Sequence, residues 1–285
     1  MNLNAIFSKL FSESLLSFYP TFVKKIDLSI FLQMVTRLIT YVLISLFFIN
    51  YSFISGNLLK QESILLSIVN LVHIYTSYEG FKNLDSGVSF SIFNIYPLLI
   101  LLFSGVLWKP VYFIGIIGLL FFIYENYNSN KNNNTLNSNY NYGVFMILLA
   151  AVTEAIIFFL VRNIKTENNW NHLFISYFWG AIITSIYLLF SDSNEPILSI
   201  NSTHSNKWFL IYIAILFNGI IGTIGYYLRF YSIYRLNPEI YSMLSFFGII
   251  MAYFYGIFLN NESINTYKII GTLLIIMSNY YIFNS

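Results

Sequence analysis

The chain of 285 residues has no cysteine, five prolines and three histidines, and only 9% of it is Asp, Glu, Lys or Arg. Without cysteine there are no disulfides, no thiolate nucleophile and no Cys-ligated metal. The histidines, His73, His172 and His204, have no spacing that suits a metal site, and no His-Glu-x-x-His motif occurs. A soluble globular protein carries about 25% charged residues. At this length, 14 basic and 12 acidic side chains cannot make a water-facing surface. The net charge of +2 is no basic field for nucleic acid. The Asn/Ser-rich start lacks the basic region and clean apolar core of a cleavable signal peptide. No enzyme chemistry, cofactor or metal is expected.

Apolar residues are what the chain has: 57% of it is hydrophobic and 20% aromatic, and the mean hydropathy is +0.68. A membrane-crossing helix takes roughly 20 mostly apolar residues. Apolar runs bounded by polar or helix-breaking residues predict spans at 3–22, 28–49, 64–82, 86–107 and 109–124, then 142–163, 170–190, 207–233, 238–259 and 265–283. The first run is interrupted by Ser8, Lys9, Ser12, Glu13 and Ser14, and taken alone it fits a surface-lying helix equally well. The expected fold class is an all-α polytopic membrane protein of ten transmembrane helices, in an unassigned membrane.

Residues 126–141, dominated by Asn, read as a linker between residues 1–125 and 142–285. The two parts carry a faint repeat. Ile116-Ile117-Gly118-Leu119 parallels Ile269-Ile270-Gly271-Thr272, Ser104-Gly105-Val106-Leu107 parallels Tyr255-Gly256-Ile257-Phe258, and Glu13 and Glu154 lie equally far into their halves. Five helices per half is an odd number, so the second half enters the membrane inverted. Two inverted five-helix repeats are a recurrent transporter architecture. Both termini then share a side. With Arg37 left out, seven Lys and Arg on one face against six on the other give no orientation.

Three segments resemble the drug/metabolite transporter superfamily, specifically EamA-type permeases built of two EamA repeats. They are Tyr78-Glu79-Gly80-Phe81-Lys82-Asn83-Leu84-Asp85-Ser86-Gly87, Tyr231-Ser232-Ile233-Tyr234-Arg235-Leu236-Asn237-Pro238, and Leu259-Asn260-Asn261-Glu262-Ser263 followed by Ile270-Gly271-Thr272-Leu273-Leu274-Ile275. The resemblance implies cytosolic termini and alternating access for a small polar organic solute. A nucleotide-sugar or sugar-phosphate carrier is the nearest alternative, and a non-transporting membrane scaffold is the alternative from another class. The first helix lacks the family's usual Trp-Gly pair, and Gly248-Ile249 stands where many members carry Glu-Pro. The partners expected are the solute and the lipid bilayer, with proton or solute coupling, and a monomer or homodimer.

Arg at a helix centre costs about 2.5–3.5 kcal/mol on insertion scales, so it persists when paired or useful. Arg37 lies nine residues into its predicted span, about 14 Å deep at ~1.5 Å per residue. Gln33, Thr40, Tyr41 and Ser45 share its face. Arg37 reads either as an anchor for an anionic solute or as the ion-pair partner of Glu13 or Glu79. Glu13 and Glu154 read either as carriers of a coupling proton or as partners of Arg37 and Arg229. Asn218 and Arg229 fall on one face with Ala214, Gly222 and Gly225, a cavity wall or a packing seam, and Arg229 is placed to snorkel. Pro97 interrupts a predicted span, which makes Asn94 and Tyr96 pathway residues or parts of a simple kink. His73 reads as a packing residue or a proton relay, and Tyr177 and Tyr253 as cavity or packing residues. Sequons occur at Asn133 and Asn201, and Asn-rich loops generate them by chance.

Overall fold

The computed structural model describes residues 2–105, 113–122, 124, 138–190 and 207–283. The sequons, His204, Lys109, Lys131 and most of the Asn-rich linker lie outside the described residues. Among the described residues the only regular secondary structure is helical. The helices are α1 (Leu3–Leu16), α2 (Tyr19–Lys25), α3 (Ile30–Leu46), α4 (Tyr51–Asn57), α5 (Gln61–Asn83), α6 (Ser86–Phe93), α7 (Tyr96–Phe103) and α8 (Phe113–Phe122). They continue as α9 (Ser138–Asn163), α10 (Asn169–Phe190), α11 (Lys207–Phe217), a π-helical turn at Asn218–Gly222, α12 (Thr223–Arg235), α13 (Pro238–Leu244), α14 (Phe247–Asn260) and α15 (Thr266–Phe283).

Several predicted spans are broken helices. Pro20 sits in the first turn of α2, Pro97 in that of α7 and Pro238 in that of α13, where a missing N–H is tolerated. At Asn94 the side-chain amide donates to Phe90 O at 2.8 Å, beside the bond that carbonyl already accepts from Asn94 N at 3.0 Å. The short helix α4 was not expected, and helix α9 begins at Ser138, inside the segment assigned to the linker.

By length and apolarity, five helical stretches suit a membrane crossing: Ser86–Phe103, Asn139–Asn163, Asn169–Phe190, Trp208–Arg235 and Pro238–Asn260. Ile30–Leu46, Phe113–Phe122 and Thr266–Ser278 are shorter apolar helices. Helices α1 and α5 fall outside both sets because they carry polar side chains where the others carry apolar ones. In α1 these are Lys9, Ser12 and Glu13, and in α5 Ser67, Asn70, His73 and Ser77; all are buried against protein. The outside of the bundle presents Phe47, Leu189, Phe190, Ile250 and Phe258, the surface expected toward lipid.

Helices α5 and α9 pack antiparallel. A Cβ on Gly80 would meet Ile147 and the Gly143 carbonyl, and one on Gly143 would meet Asn83 and Leu84. This close approach sets His73 opposite Ala150 and Glu154.

Candidate functional site

Helix α3 begins at Ser29, whose side chain accepts from the Leu32 N–H at 3.2 Å. Its polar stripe turns inward as a unit: Gln33, Arg37, Thr40, Tyr41 and Ser45 are all buried. Arg37 is 1% exposed and has no carboxylate within ion-pair distance among the described residues. The expected pairings with Glu13 and Glu79 are therefore not made. Five tyrosine rings from separate helices surround its guanidinium instead. Tyr226 of α12 is 4.6 Å from Cζ, Tyr19 of α2 4.9 Å, Tyr41 5.5 Å, Tyr78 of α5 5.6 Å and Tyr177 of α10 5.8 Å.

Only long hydrogen bonds reach the group. Its two terminal nitrogens donate to the Tyr78 and Tyr177 hydroxyls at 3.5 Å each, and the buried Nε makes none among the described residues. Cation–π attraction offsets part of the burial of a cation, but no counter-charge does. The Tyr19 hydroxyl donates to Asn218 Oδ1 at 2.7 Å and lies 2.6 Å from the Tyr41 hydroxyl. Asn218 opens the π turn. Gly222 closes it because a Cβ there would lie 2.1 Å from Tyr41 Oη and 2.2 Å from Tyr19 Oη.

A second cluster lies beside the first. Lys9 is fully buried, its Nζ 2.5 Å from Glu13 Oε1, one helical turn on, and 3.2 Å from the Tyr96 hydroxyl. The ammonium also stands 3.6 Å from the centre of the Tyr241 ring. Arg229 is 3% exposed and pairs with Glu154, so it does not snorkel as expected; helix α12 runs on to Arg235 and keeps it inside. His73 Nε2 lies 3.5 Å from the other oxygen of Glu154. Tyr226 is shared by the two clusters, its ring 5.7 Å from the Arg229 guanidinium. The structure thus brings Glu13, Arg37, Tyr41, His73, Tyr96, Glu154, Tyr177, Asn218 and Arg229 into two adjoining groups.

Asn94 and Tyr253 stand apart. The Asn94 amide nitrogen is held at the α6–α7 break while its buried Oδ1 makes no hydrogen bond among the described residues, and Tyr253 packs on Gly87 with its hydroxyl 2.8 Å from Thr272 Oγ1. Sequence reading missed Lys9, Tyr19, Tyr78, Tyr226 and Tyr241. Of these, only Lys9 carries a local signal, its spacing of four from Glu13.

At one end of the bundle, helices α2 and α6 meet the α14–α15 loop through charges. Glu262 accepts from Ser86 N at 2.6 Å, from Ser86 Oγ at 2.8 Å and from Lys24 Nζ at 2.6 Å. Lys268 Nζ lies 2.5 Å from Asp85 Oδ2. Asp85 thus pairs across the bundle and not with the neighbouring Lys82. Arg235 lies 3.9 Å from the centre of the Tyr231 ring. An apolar groove of about 760 Å³ between α3 and α11 is lined by residues such as Leu32, Ile39, Leu43, Ile211 and Ile215, and neither Arg37 nor Glu154 borders it.

Apolar helices around a sealed, charged interior define an integral, multi-pass membrane protein of the transporter class. The family model of the EamA-like transporter family matches residues 141–284, and the chain belongs to that family, whose members are transporters of the drug/metabolite type. No curated protein matches the chain. Among solved structures it is similar to one described as "Crystal structure of protein", at 13% identity and a TM-score of 0.58, covering 97% of this chain and 94% of that one. That likeness shows the fold alone.

Proposed function

We propose that this protein carries a small polar organic anion across a membrane by alternating access, with Arg37 as its anchor. The observation that carries the reading is the missing counter-charge. Lys9 is offset by Glu13 and Arg229 by Glu154, while Arg37 faces only tyrosines. A carboxylate entering the cage would supply that charge and take charge-assisted hydrogen bonds from the guanidinium. Tyrosine faces and hydroxyls around it suit the organic body of the solute. One unpaired guanidinium matches one anionic group; a diphosphate would call for a second, and both other central cations are taken. This argues against a nucleotide-sugar carrier.

The mechanism we assign is rocking of two inverted five-helix repeats, residues 1–125 and 142–285, joined by 126–141. Their strongest support is a contact between the aligned glycines of the repeat. A Cβ on Gly118 would lie 2.8 Å from Gly271 O, and one on Gly271 would lie 2.9 Å from Gly118 O. Equivalent residues meet each other in this way across a two-fold axis. The Lys24–Glu262–Ser86 group would then latch one end of the pathway.

The experiment is uptake or counterflow in proteoliposomes against amino acids, other small carboxylates, nucleotide sugars and phosphorylated sugars. The reading expects saturable transport of a small carboxylate that Arg37→Ala abolishes. Transport of nucleotide sugars in preference would favour the alternative carrier, and no transport of any solute would favour a scaffold.

A further inference from the structure

The mid-helix pair of His73 and Glu154 has a hydrogen-bond pattern that leaves one proton to be accounted for. His73 Nδ1 lies 3.2 Å from Ala150 O and 3.2 Å from Thr153 Oγ1. A carbonyl oxygen only accepts. The Thr153 hydroxyl is itself turned to Leu149 O at 3.0 Å and Ala150 O at 2.9 Å, so it too offers His73 a lone pair. The network therefore assigns the proton of a neutral ring to Nδ1. Nε2 then carries a lone pair, and it faces Glu154 Oε2 at 3.5 Å. An ionised carboxylate is also acceptor-only. Two buried acceptors with no donor between them are unfavourable, and one proton resolves the conflict, on the ring as imidazolium or on the acid as carboxyl.

We propose that His73 and Glu154 together form a proton-binding site, holding one exchangeable proton between Nε2 and Oε2, and that its occupancy is coupled to the anion on Arg37. This rests on the reading of Arg37 as the solute anchor. Burial weighs most on both groups; after it, Arg37 and then Arg229 act electrostatically on His73, and Arg229, Lys9 and Glu13 act on Glu154. Tyr96 and Tyr241 also lie within electrostatic reach of Glu154. With the two ion pairs balanced, the interior holds one uncompensated positive charge, that of Arg37. A proton on the pair adds a second. An anion that settles on Arg37 removes the repulsion, so it favours proton binding, and the proton favours the anion in equal measure. Proton and anion would then travel in the same direction. Releasing the proton leaves imidazole and carboxylate facing each other, and the anion loses the added attraction.

The probe is the proton itself, followed by NMR of ¹⁵N-histidine-labelled protein purified whole in detergent from about pH 8 down to about pH 4, a range carried past that of a free imidazole because the ring is buried. His73 is assigned by loss of its signals in His73→Gln; if that variant does not accumulate, variants at His172 and His204 assign it by elimination. In the wild type we expect His73 to carry its proton on Nδ1 at the alkaline end and to gain one on Nε2 on acidification. In Glu154→Gln the amide donates to Nε2 and holds the ring neutral throughout. In Arg37→Gln the midpoint moves to higher pH than in the wild type. A wild-type Nε2 signal that stays constant across the range, with neither protonation nor a hydrogen bond gained from the acid, or a ring that carries its proton on Nε2 when neutral, overturns the site. A midpoint unchanged in Arg37→Gln overturns the coupling. No solute enters this measurement, so its outcome is separate from that of the uptake assay.

Discussion

Lys9 Nζ stands 2.5 Å from Glu13 Oε1, one helical turn away and fully buried, so the acid closest to the start of the chain is already neutralised. Arg229 does the same for Glu154. Arg37 is thereby the exception among the central cations, and the functional account follows from it.

If Arg37 serves the solute and not the fold, its removal should spare stability. Arg37→Met leaves no carboxylate behind and removes an expensive intramembrane charge. Thermal unfolding in detergent is expected to be unchanged or shifted upward. Transport should fall by about 10- to 100-fold, the worth of a hydrogen bond to a charged group at about 1.5–3 kcal/mol. Arg37→Lys should not restore it, because a point charge lacks the planar fork and stacks less well among tyrosines.

Glu154→Ala should behave in the opposite way. It strands a buried Arg229, and breaking a buried pair from one side costs about 3–5 kcal/mol. Glu154→Ala combined with Arg229→Met should recover much of that loss. A double-mutant cycle in thermal or denaturant unfolding measures the coupling.

The glycine of the π turn gives a steric test. Gly222→Ala would place a methyl 2.1 Å from Tyr41 Oη and 2.2 Å from Tyr19 Oη, two hydroxyls that hold the cage together. Overpacking of this kind costs about 1–3 kcal/mol, and transport should drop with it. Gly56→Ala is the control: nothing lies within 4 Å of that Cβ, and a helical Gly→Ala change gains roughly 0.5–1 kcal/mol.

The latch is open to chemical labelling because the chain has no cysteine to compete. Thr21 is 1% exposed and its hydroxyl lies 3.3 Å from Ser86 Oγ, just inside the Lys24–Glu262 contact. A Thr21→Cys protein should react slowly with a membrane-impermeant maleimide. Adding Glu262→Gln removes the charge that holds Lys24 and leaves one acceptor oxygen where Lys24 and Ser86 now use two, and labelling should speed up by about tenfold, equivalent to about 1.4 kcal/mol.

Much of this was readable along the chain. The inward stripe of α3 shows in the spacing of Gln33, Arg37, Tyr41 and Ser45, because helical periodicity is a local property. The Glu154–Arg229 pair was legible as two costly charges in search of partners. The assignment of Glu13 to Arg37 went astray because Lys9 reads as an interruption of an apolar run, although its spacing of four from Glu13 is the signature of a helical ion pair. The cage was not legible. Among 24 tyrosines nothing local marks the five that meet around Arg37, since they arrive from five helices. Nor does the sequence announce the π turn, which depends on how α11 and α12 pack on Tyr19 and Tyr41.

The central claim is that the unpaired guanidinium of Arg37 receives an anionic group, and proteoliposome uptake across matched solutes tests it most directly. A carboxylate solute and its neutral amide are compared in the wild type and in Arg37→Gln. The account predicts that the wild type takes up the carboxylate at least about tenfold faster than the amide, a margin of about 1.4 kcal/mol, and that Arg37→Gln erases the difference. Equal uptake of both by the wild type, or a preference that survives in Arg37→Gln, would contradict it.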